Sequence, residues 1–257
     1  MKSGKMGTPS IMDSWPPGGH DPALQCLQRR YLPNLHSQNI PGLLMDPLLR
    51  RLVVVSSFGA ESAVLLHYVS TIRPGIKVLF LDTGMHFSET ITYRQTLEKK
   101  FDIEVIDVKP DTNLIENHDP EDNLYRRDPN ACCNIRKTIP LHGALAEFDS
   151  WITGRKRFQS STRAALPIIE RDRKHIKVNP LAQWSPEDIR DYTHAHELPA
   201  HPLQAKGFPS IGCETCSRAV IEGEDPRAGR WPQMPDKVEC GIHISPDGKI
   251  LRRTNGK

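Results

Sequence analysis

Cysteines are the residues of this chain whose spacing most constrains chemistry. Cys132 and Cys133 are adjacent, and Cys213-Glu214-Thr215-Cys216 forms a C-x-x-C pair much further along. Two tight pairs so far apart meet only if the fold joins their segments, and a thiolate-bound metal centre is a reason for it to do so. Zinc takes four thiolates tetrahedrally, and so does a 4Fe-4S cluster. Neighbouring side chains diverge, which suits the separate corners of a cubane better than one small ion. The plainer reading is that Cys132 and Cys133 are buried apolar fillers and the C-x-x-C is a dithiol redox pair. Cys240 stands apart, in Glu239-Cys240-Gly241-Ile242-His243, within a stretch rich in helix and strand breakers. The adjacent glycine allows close approach to a substrate, so Cys240 is read as a nucleophile rather than an incidental exposed thiol. His243 is placed to position or activate it. Cys26 has no companion and is read as incidental.

The elements that must position these groups follow an alternating pattern. Residues 51–55 are a short apolar run of the kind buried in a parallel sheet, and 77–81 is a second. The first is followed by the small-residue loop Ser56-Ser57-Phe58-Gly59-Ala60-Glu61-Ser62 and a helical stretch. The second runs into Asp82-Thr83-Gly84 and a helix opened by Ser88-Glu89-Thr90 that reaches about residue 101, with a third strand over 103–108. Residues 151–154 read as a fourth strand and 177–181 as a fifth. Ser185-Pro186-Glu187-Asp188 has the N-cap serine, first-turn proline and acids of a helix start. Such βαβ units imply a parallel sheet that binds ligands beyond the C-terminal strand ends, where both loops lie. The segment 1–47 is expected to be loosely ordered, 48–222 to form the folded domain, and 223–257 to be a flexible tail carrying Cys240.

The balance of charge excludes some functions. The chain has 34 basic and 31 acidic residues and 6% aromatics, which is no footprint for nucleic acid. No run of about 18 apolar residues occurs, so no membrane partner is expected. The segment before Pro17 lacks the apolar core of a signal peptide, which predicts a reducing cytoplasmic setting. There six cysteines serve as ligands or catalytic groups more readily than as disulfides. Basic residues gather at 126–127, 155–157 and 171–174, each compatible with an ordinary solvated surface.

Taken in order, these residues resemble one family, the reductases of adenylyl sulfate and phosphoadenylyl sulfate in assimilatory sulfate reduction. The resemblance rests on the loop from Ser57 to Ser62, on Leu81-Asp82-Thr83-Gly84 with Phe87 and Glu89-Thr90, and on Cys132-Cys133 with Arg136-Lys137. It continues through the basic 154–159 stretch, Cys213-x-x-Cys216 and the terminal Glu-Cys-Gly-Ile-His, spanning about residues 52–243. It implies an α/β fold, a parallel doubly wound sheet of the adenine-nucleotide alpha-hydrolase-like type with a flexible C-terminal tail. The loop is similar to the phosphate-binding loop of ATP pyrophosphatases, offering backbone N–H groups and serine hydroxyls at a helix N-terminus. Phe58 and Glu61 depart from that loop and would crowd a triphosphate.

The resemblance further implies a mechanism. Cys240 attacks the sulfur of adenylyl sulfate, AMP leaves, and thioredoxin or glutaredoxin frees sulfite from the resulting S-sulfocysteine. It makes Cys132, Cys133, Cys213 and Cys216 the ligands of a 4Fe-4S cluster, with Lys137 linking that cluster electrostatically to substrate. Charge on the leaving phosphate calls for cations, and Lys137, Arg157, Arg227 and Arg230 are the candidates. Ser57, Phe58, Gly59 and Ser62 are expected at the phosphates, Leu81, Asp82 and Thr83 at adenine, and Arg163 with Gln159 at ribose or phosphate. Arg157 is preferred to Lys156, because Lys156 and Phe158 stand where the family carries a second arginine and an acid. Members with four such cysteines take adenylyl sulfate, and those without take the 3'-phosphorylated form. A homo-oligomer is compatible with all of this. The rival readings are a cluster- or zinc-dependent tRNA thiolase, an ATP sulfurylase subunit with no need of Cys240, and a cluster-bearing sensor that leaves the loop unexplained.

Overall fold

The computed structural model describes residues 21–34, 39–234, 237, 239 and 242. Within them, β1 (Leu52–Ser56), β2 (Lys77–Leu81), β3 (Glu104–Val108), β4 (Ser150–Ile152), β5 (Ile169–Asp172) and β6 (His175–Val178) form one sheet in the order β3-β2-β1-β4-β6-β5. All neighbours pair parallel except β5, which runs antiparallel to β6 at the edge. The central strand β1 is buried along its whole length, as its unbroken Leu-Val-Val-Val run requires of a strand covered on both faces. Its Val54 pairs with Val78 of β2 on one side and Ile152 of β4 on the other. The chain steps outward from β1 to β2 and β3, then crosses to β4. The strand order therefore reverses between β1 and β4, opening a crevice at their C-terminal ends.

Helices α1 (Pro22–Tyr31), α2 (Asn39–Leu44), α3 (Ser62–Ile72), α4 (Ser88–Phe101), α5 (Thr112–His118), α6 (Leu124–Arg127), α7 (Pro129–Cys133), α8 (Ile139–Leu145) and α9 (Pro186–Ala195) complete the fold. α3 is apolar around most of its circumference, with Ala63, Val64, Leu65, Leu66 and Val69 buried in the larger core with Val54, Val78 and Val178. Leu141 and Leu145 of α8 cover the opposite sheet face, against Val53, Leu79 and Trp151. α9 begins as its sequence predicts: Ser185 and Asp188 cap each other's backbone N–H, with Pro186 in the first turn.

Two expectations need correction. Residues 21–34 and 39–47 are not loosely ordered; residues 1–20 and 35–38 lie outside the described residues. Asp21 accepts from the N–H groups of Ala23 and Leu24 to start α1, and Leu27, Ile40, Leu43 and Leu44 are buried in the main core. The turn-forming prolines and glycines there connect short helices. The basic run 171–174 is a solvated surface only in part: Arg173, at φ 54°, and Lys174 are exposed in the turn of the β5–β6 hairpin, whereas Arg171 is half-buried and paired with Asp21. β5 escaped notice because its Ile-Glu-Arg-Asp sequence is that of an edge strand with polar side chains. No helix among the described residues is long and apolar enough to cross a membrane.

Candidate active site

A cleft opens at the crevice between β1 and β4, enclosing about 200 Å³. Its floor is the loop after β1 together with the N-terminus of α3, and Ser57, Gly59, Glu61 and Ser62 line it. Phe58 is not a lining residue, contrary to expectation. At φ 49° it turns its ring into the core, edge-on to Phe80 at 5.4 Å, and its N–H donates to Ser56 Oγ at 3.2 Å. The aromatic ring is thus a root that holds the loop while its neighbours face the cleft. Glu61 caps no N–H with its side chain. Its Oε2 accepts instead from Lys156 Nζ at 2.7 Å and Gln159 Nε2 at 2.8 Å. Lys156 is 2% exposed. Burial pulls its pKa below the ordinary lysine value, and the charge of Glu61 opposes that.

The cationic wall differs in detail from the sequence expectation. Lys137, Arg163, Arg227 and Arg230 all line the cleft, as do Arg155 and Lys156. Arg157 does not. Its Nε donates to Leu166 O at 3.0 Å and its N–H to Ala182 O, so it braces the loop after β4. The family pattern misled here because a departure at Lys156 was taken to demote the residue that in fact reaches the cleft. The loop is fixed from below by Asn179, which accepts from Thr153 Oγ1 at 2.6 Å and donates to Pro167 O and Glu170 Oε1. Leu81 also lines the cleft. Asp82 instead caps its own turn, accepting from the Gly84 N–H at 3.1 Å, and Thr83 is fully buried. Two lining side chains missed in the sequence, His86 and Trp151, carry buried nitrogens with no hydrogen-bond partner, Nδ1 and Nε1, as does the expected Arg230 at its Nε. Leu81 O can only accept, so His86 Nε2 donates to it at 2.9 Å and Nδ1 is a bare acceptor. Nothing in a lone histidine or a strand tryptophan signals this before the fold is known.

Behind the cleft the two cysteine pairs meet. Cys132 and Cys133 end α7 and lead into a turn of π-helix, Asn134–Thr138, that carries Arg136 and Lys137. Arg136 is buried, donating to Asp119 Oδ2 at 2.8 Å and to Thr83 O at 3.0 Å. Thr83 Oγ1 lies 3.4 Å from Cys213 Sγ, so the loop after β2 joins one cysteine segment to the other. All four thiols are buried and free of disulfides. Burial pushes the Cys132 thiol up to about 12, and the charges of Cys133, Cys213 and Cys216 push in the same direction. Burial would raise Cys213 too, but the charge of Lys137, hydrogen bonds from Thr83 and Lys137, and Arg230 together hold it below the ordinary thiol value. Lys137 therefore belongs both to the thiol group and to the cleft wall. Among the described residues no three potential ligands stand close enough to grip one metal ion. Cys26 lies apart, exposed on α1.

The stretch 223–234 has turns, as its breakers require, and one isolated β-bridge from Arg230 to Ser217, so it is docked rather than loose. Trp231 is 3% exposed against Cys213 and Cys216, and Arg230 lies 4.6 Å over its ring. Beyond it, Glu239 and Ile242 line the cleft, Ile242 packing against the cluster that holds Leu81 and Trp151. Cys240 and His243 lie outside the described residues.

Known proteins resemble this chain. The family described as phosphoadenosine phosphosulfate reductase domain matches residues 51–219, from β1 through both cysteine pairs. The chain belongs to that family. The adenosine 5'-phosphosulfate reductase of Mesorhizobium japonicum is 49% identical over 195 residues, 76% of each chain. That of Mycolicibacterium smegmatis is 43% identical over 72% of this chain and 79% of its own. Among solved structures, the phosphoadenylyl-sulfate reductase of Candida auris in complex with phosphate superposes with a TM-score of 0.61, over 77% of this chain and 96% of that one. At 22% identity that likeness bears on the fold.

Proposed function

We propose that this protein is a thioredoxin-dependent adenylyl-sulfate reductase of sulfate assimilation. The carrying observation is that Glu239 and Ile242, which flank Cys240 in sequence, line the same cleft as the phosphate-type loop and Lys137, Arg227 and Arg230. A thiol-bearing segment at a cationic, nucleotide-sized crevice is what nucleophilic attack on an activated sulfate requires. In the reaction, the Cys240 thiolate attacks the sulfonyl sulfur, forming an S–S bond and breaking the S–O bond to AMP. A thioredoxin thiolate then attacks Cys240 Sγ and expels sulfite, and its second thiol resolves the mixed disulfide, so the two electrons come from the dithiol. Lys137, Arg227 and Arg230 meet the negative charge that gathers on the departing phosphate. Ser57, Ser62 and the α3 N–H groups hold the nucleotide phosphate.

Cys132, Cys133, Cys213 and Cys216 are proposed to hold a 4Fe-4S cluster. The donor set supports it: the four thiols are buried and in no disulfide, Cys132 lies within reach of the charges of the other three and of Arg136, and Cys213 is met by Lys137, Arg230 and the Thr83 hydroxyl. When bound, such a cluster would supply a compact charge to the same thiols that Lys137 and Arg136 meet.

The relatives' names favour adenylyl sulfate over its 3'-phosphorylated form. The test compares the two nucleotides with reduced thioredoxin and traps the intermediate with 35S-labelled substrate. Faster sulfite release from adenylyl sulfate is expected, with label on Cys240 that Cys240→Ser abolishes. Turnover by the Cys240→Ser variant would refute the mechanism, and faster release from the 3'-phosphorylated nucleotide would reverse the substrate assignment.

A further inference from the structure

We propose that Glu239 is a positioning residue that pins the catalytic tail to Arg163, and that Arg163 serves as the tail's anchor rather than as a ligand of the nucleotide. The proposal rests on the reductase reading for its consequence, but on the geometry alone for its contact. Arg163 Nη2 donates to Glu239 Oε2 at 2.8 Å and its Nε to the other carboxylate oxygen, a two-point pairing that fixes orientation as well as distance. Both side chains are about nine-tenths buried, at 9% and 11% exposed, although they lie 76 residues apart in sequence. With Nε and one N–H of Nη2 on Glu239 and one N–H of Nη1 on Gln159 Oε1, three of the five guanidinium donors are committed to the tail and its support. Burial would raise the pKa of Glu239, yet Arg163, Arg227 and Arg155 outweigh it and hold the carboxyl below the usual range.

The anchor does not stand alone. Lys237 Nζ bonds Asn130 Oδ1 and lies 5.4 Å over the Trp231 ring, on the cysteine side of the cleft. Ile242 sits in the apolar cluster with Trp151. The chain is therefore fastened on both sides of position 240, and Glu239 is the nearest fastening. The fastening also reaches the nucleotide loop. Gln159 receives Arg163 on its carbonyl oxygen and donates through Nε2 to Glu61 at the head of α3. A single run of contacts, Glu239–Arg163–Gln159–Glu61, connects the tail to the residue that opens the phosphate-binding turn, so neither end is free to move without the other.

The test uses the full-length holoprotein and the variants Glu239→Gln, Glu239→Asp and Arg163→Lys. Amide hydrogen exchange is followed in a peptide covering residues 235–243, and the equilibrium Kd for AMP and the single-turnover rate of Cys240 adduct formation are measured. Glu239→Gln is expected to speed exchange in that peptide at least tenfold and to slow adduct formation by a similar factor, with the AMP Kd changed less than twofold. Glu239→Asp is expected to restore part of both, and Arg163→Lys to behave like Glu239→Gln. Unchanged exchange in Glu239→Gln, or an Arg163→Lys variant whose AMP Kd rises tenfold with unchanged exchange, overturns the proposal. Thermal melting of each variant separates loss of the anchor from loss of the fold. A wild-type protein that forms no adduct with either nucleotide would defeat the reductase reading, while the exchange data would still decide the contact.

Discussion

Single side chains of this protein carry charge into places where it is costly, and the cost has a measurable signature. Lys177, on β6, is 3% exposed, 4.2 Å under the Trp151 ring and 3.6 Å from Asp172. Burial, with the charge of Arg155, pulls its pKa down to about 8, and Asp172 and Glu170 only partly oppose this. The folded chain then releases the proton near pH 8, whereas the unfolded chain keeps it to about 10.4. Below pH 8 both states are protonated and the group adds no pH dependence. Between the two values the unfolded state binds more protons, so stability rises with pH across that window. Relative to Lys177→Met, the wild-type chain is expected to gain on the order of 3 kcal/mol between pH 8 and 10.5 in urea titrations. Parallel stability curves for the two proteins would contradict the assignment. None of this was visible in the sequence, where Lys177 was merely one residue of an apolar strand.

At the scale of elements, what could be read in advance was whatever repeats with a period or stands in a fixed local pattern. The strands at 52–56, 77–81 and 104–108, the helix Ser88–Phe101 and the capped start of α9 all announce themselves through such patterns. The docking of short pieces does not, because it depends on partners distant in sequence. Hence α2 passed for part of a loose lead-in, Phe58 for a ligand, and the 223–234 turns for a free tail. Gly212 illustrates the same limit. It precedes the C-x-x-C pair, and a Cβ built there would collide with the Arg230 guanidinium. The missing side chain is what lets Arg230 lie across the backbone, near Ile211 O and over Trp231. Gly212→Ala is expected to push the guanidinium aside and weaken AMP binding about as much as Arg230→Ala does, each by roughly ten- to a hundredfold, as one charged hydrogen bond is worth. Equilibrium titration checks this, and wild-type affinity in Gly212→Ala would show that Arg230 needs no such space.

Across the whole molecule, the sheet order explains why residues so scattered converge. The reversal between β1 and β4 places the loop after β1 beside the loop after β4, and the segment from Ile211 onward closes the third side. On the proposed cluster, one group would tie α7 to the stretch 213–231 and so act as a cross-link between distant parts of the chain. Removing iron with a chelator under argon is expected to bleach a brown protein, lower its Tm by several degrees and raise hydrogen exchange in residues 124–138 and 208–234. A protein purified colourless under argon, with unchanged Tm after chelation, would count against the cluster. Glu61 has a broader consequence. Its carboxylate stands at the head of α3 with Lys156 already neutralising it, so the ammonium is not on offer to a guest. The pair presents no net positive charge to the extra phosphates of ATP, whereas a nucleotide ending in a single sulfonate brings less negative charge to be met. Discrimination against the most abundant adenine compound in a cell would then come from one paired side chain rather than from any added domain.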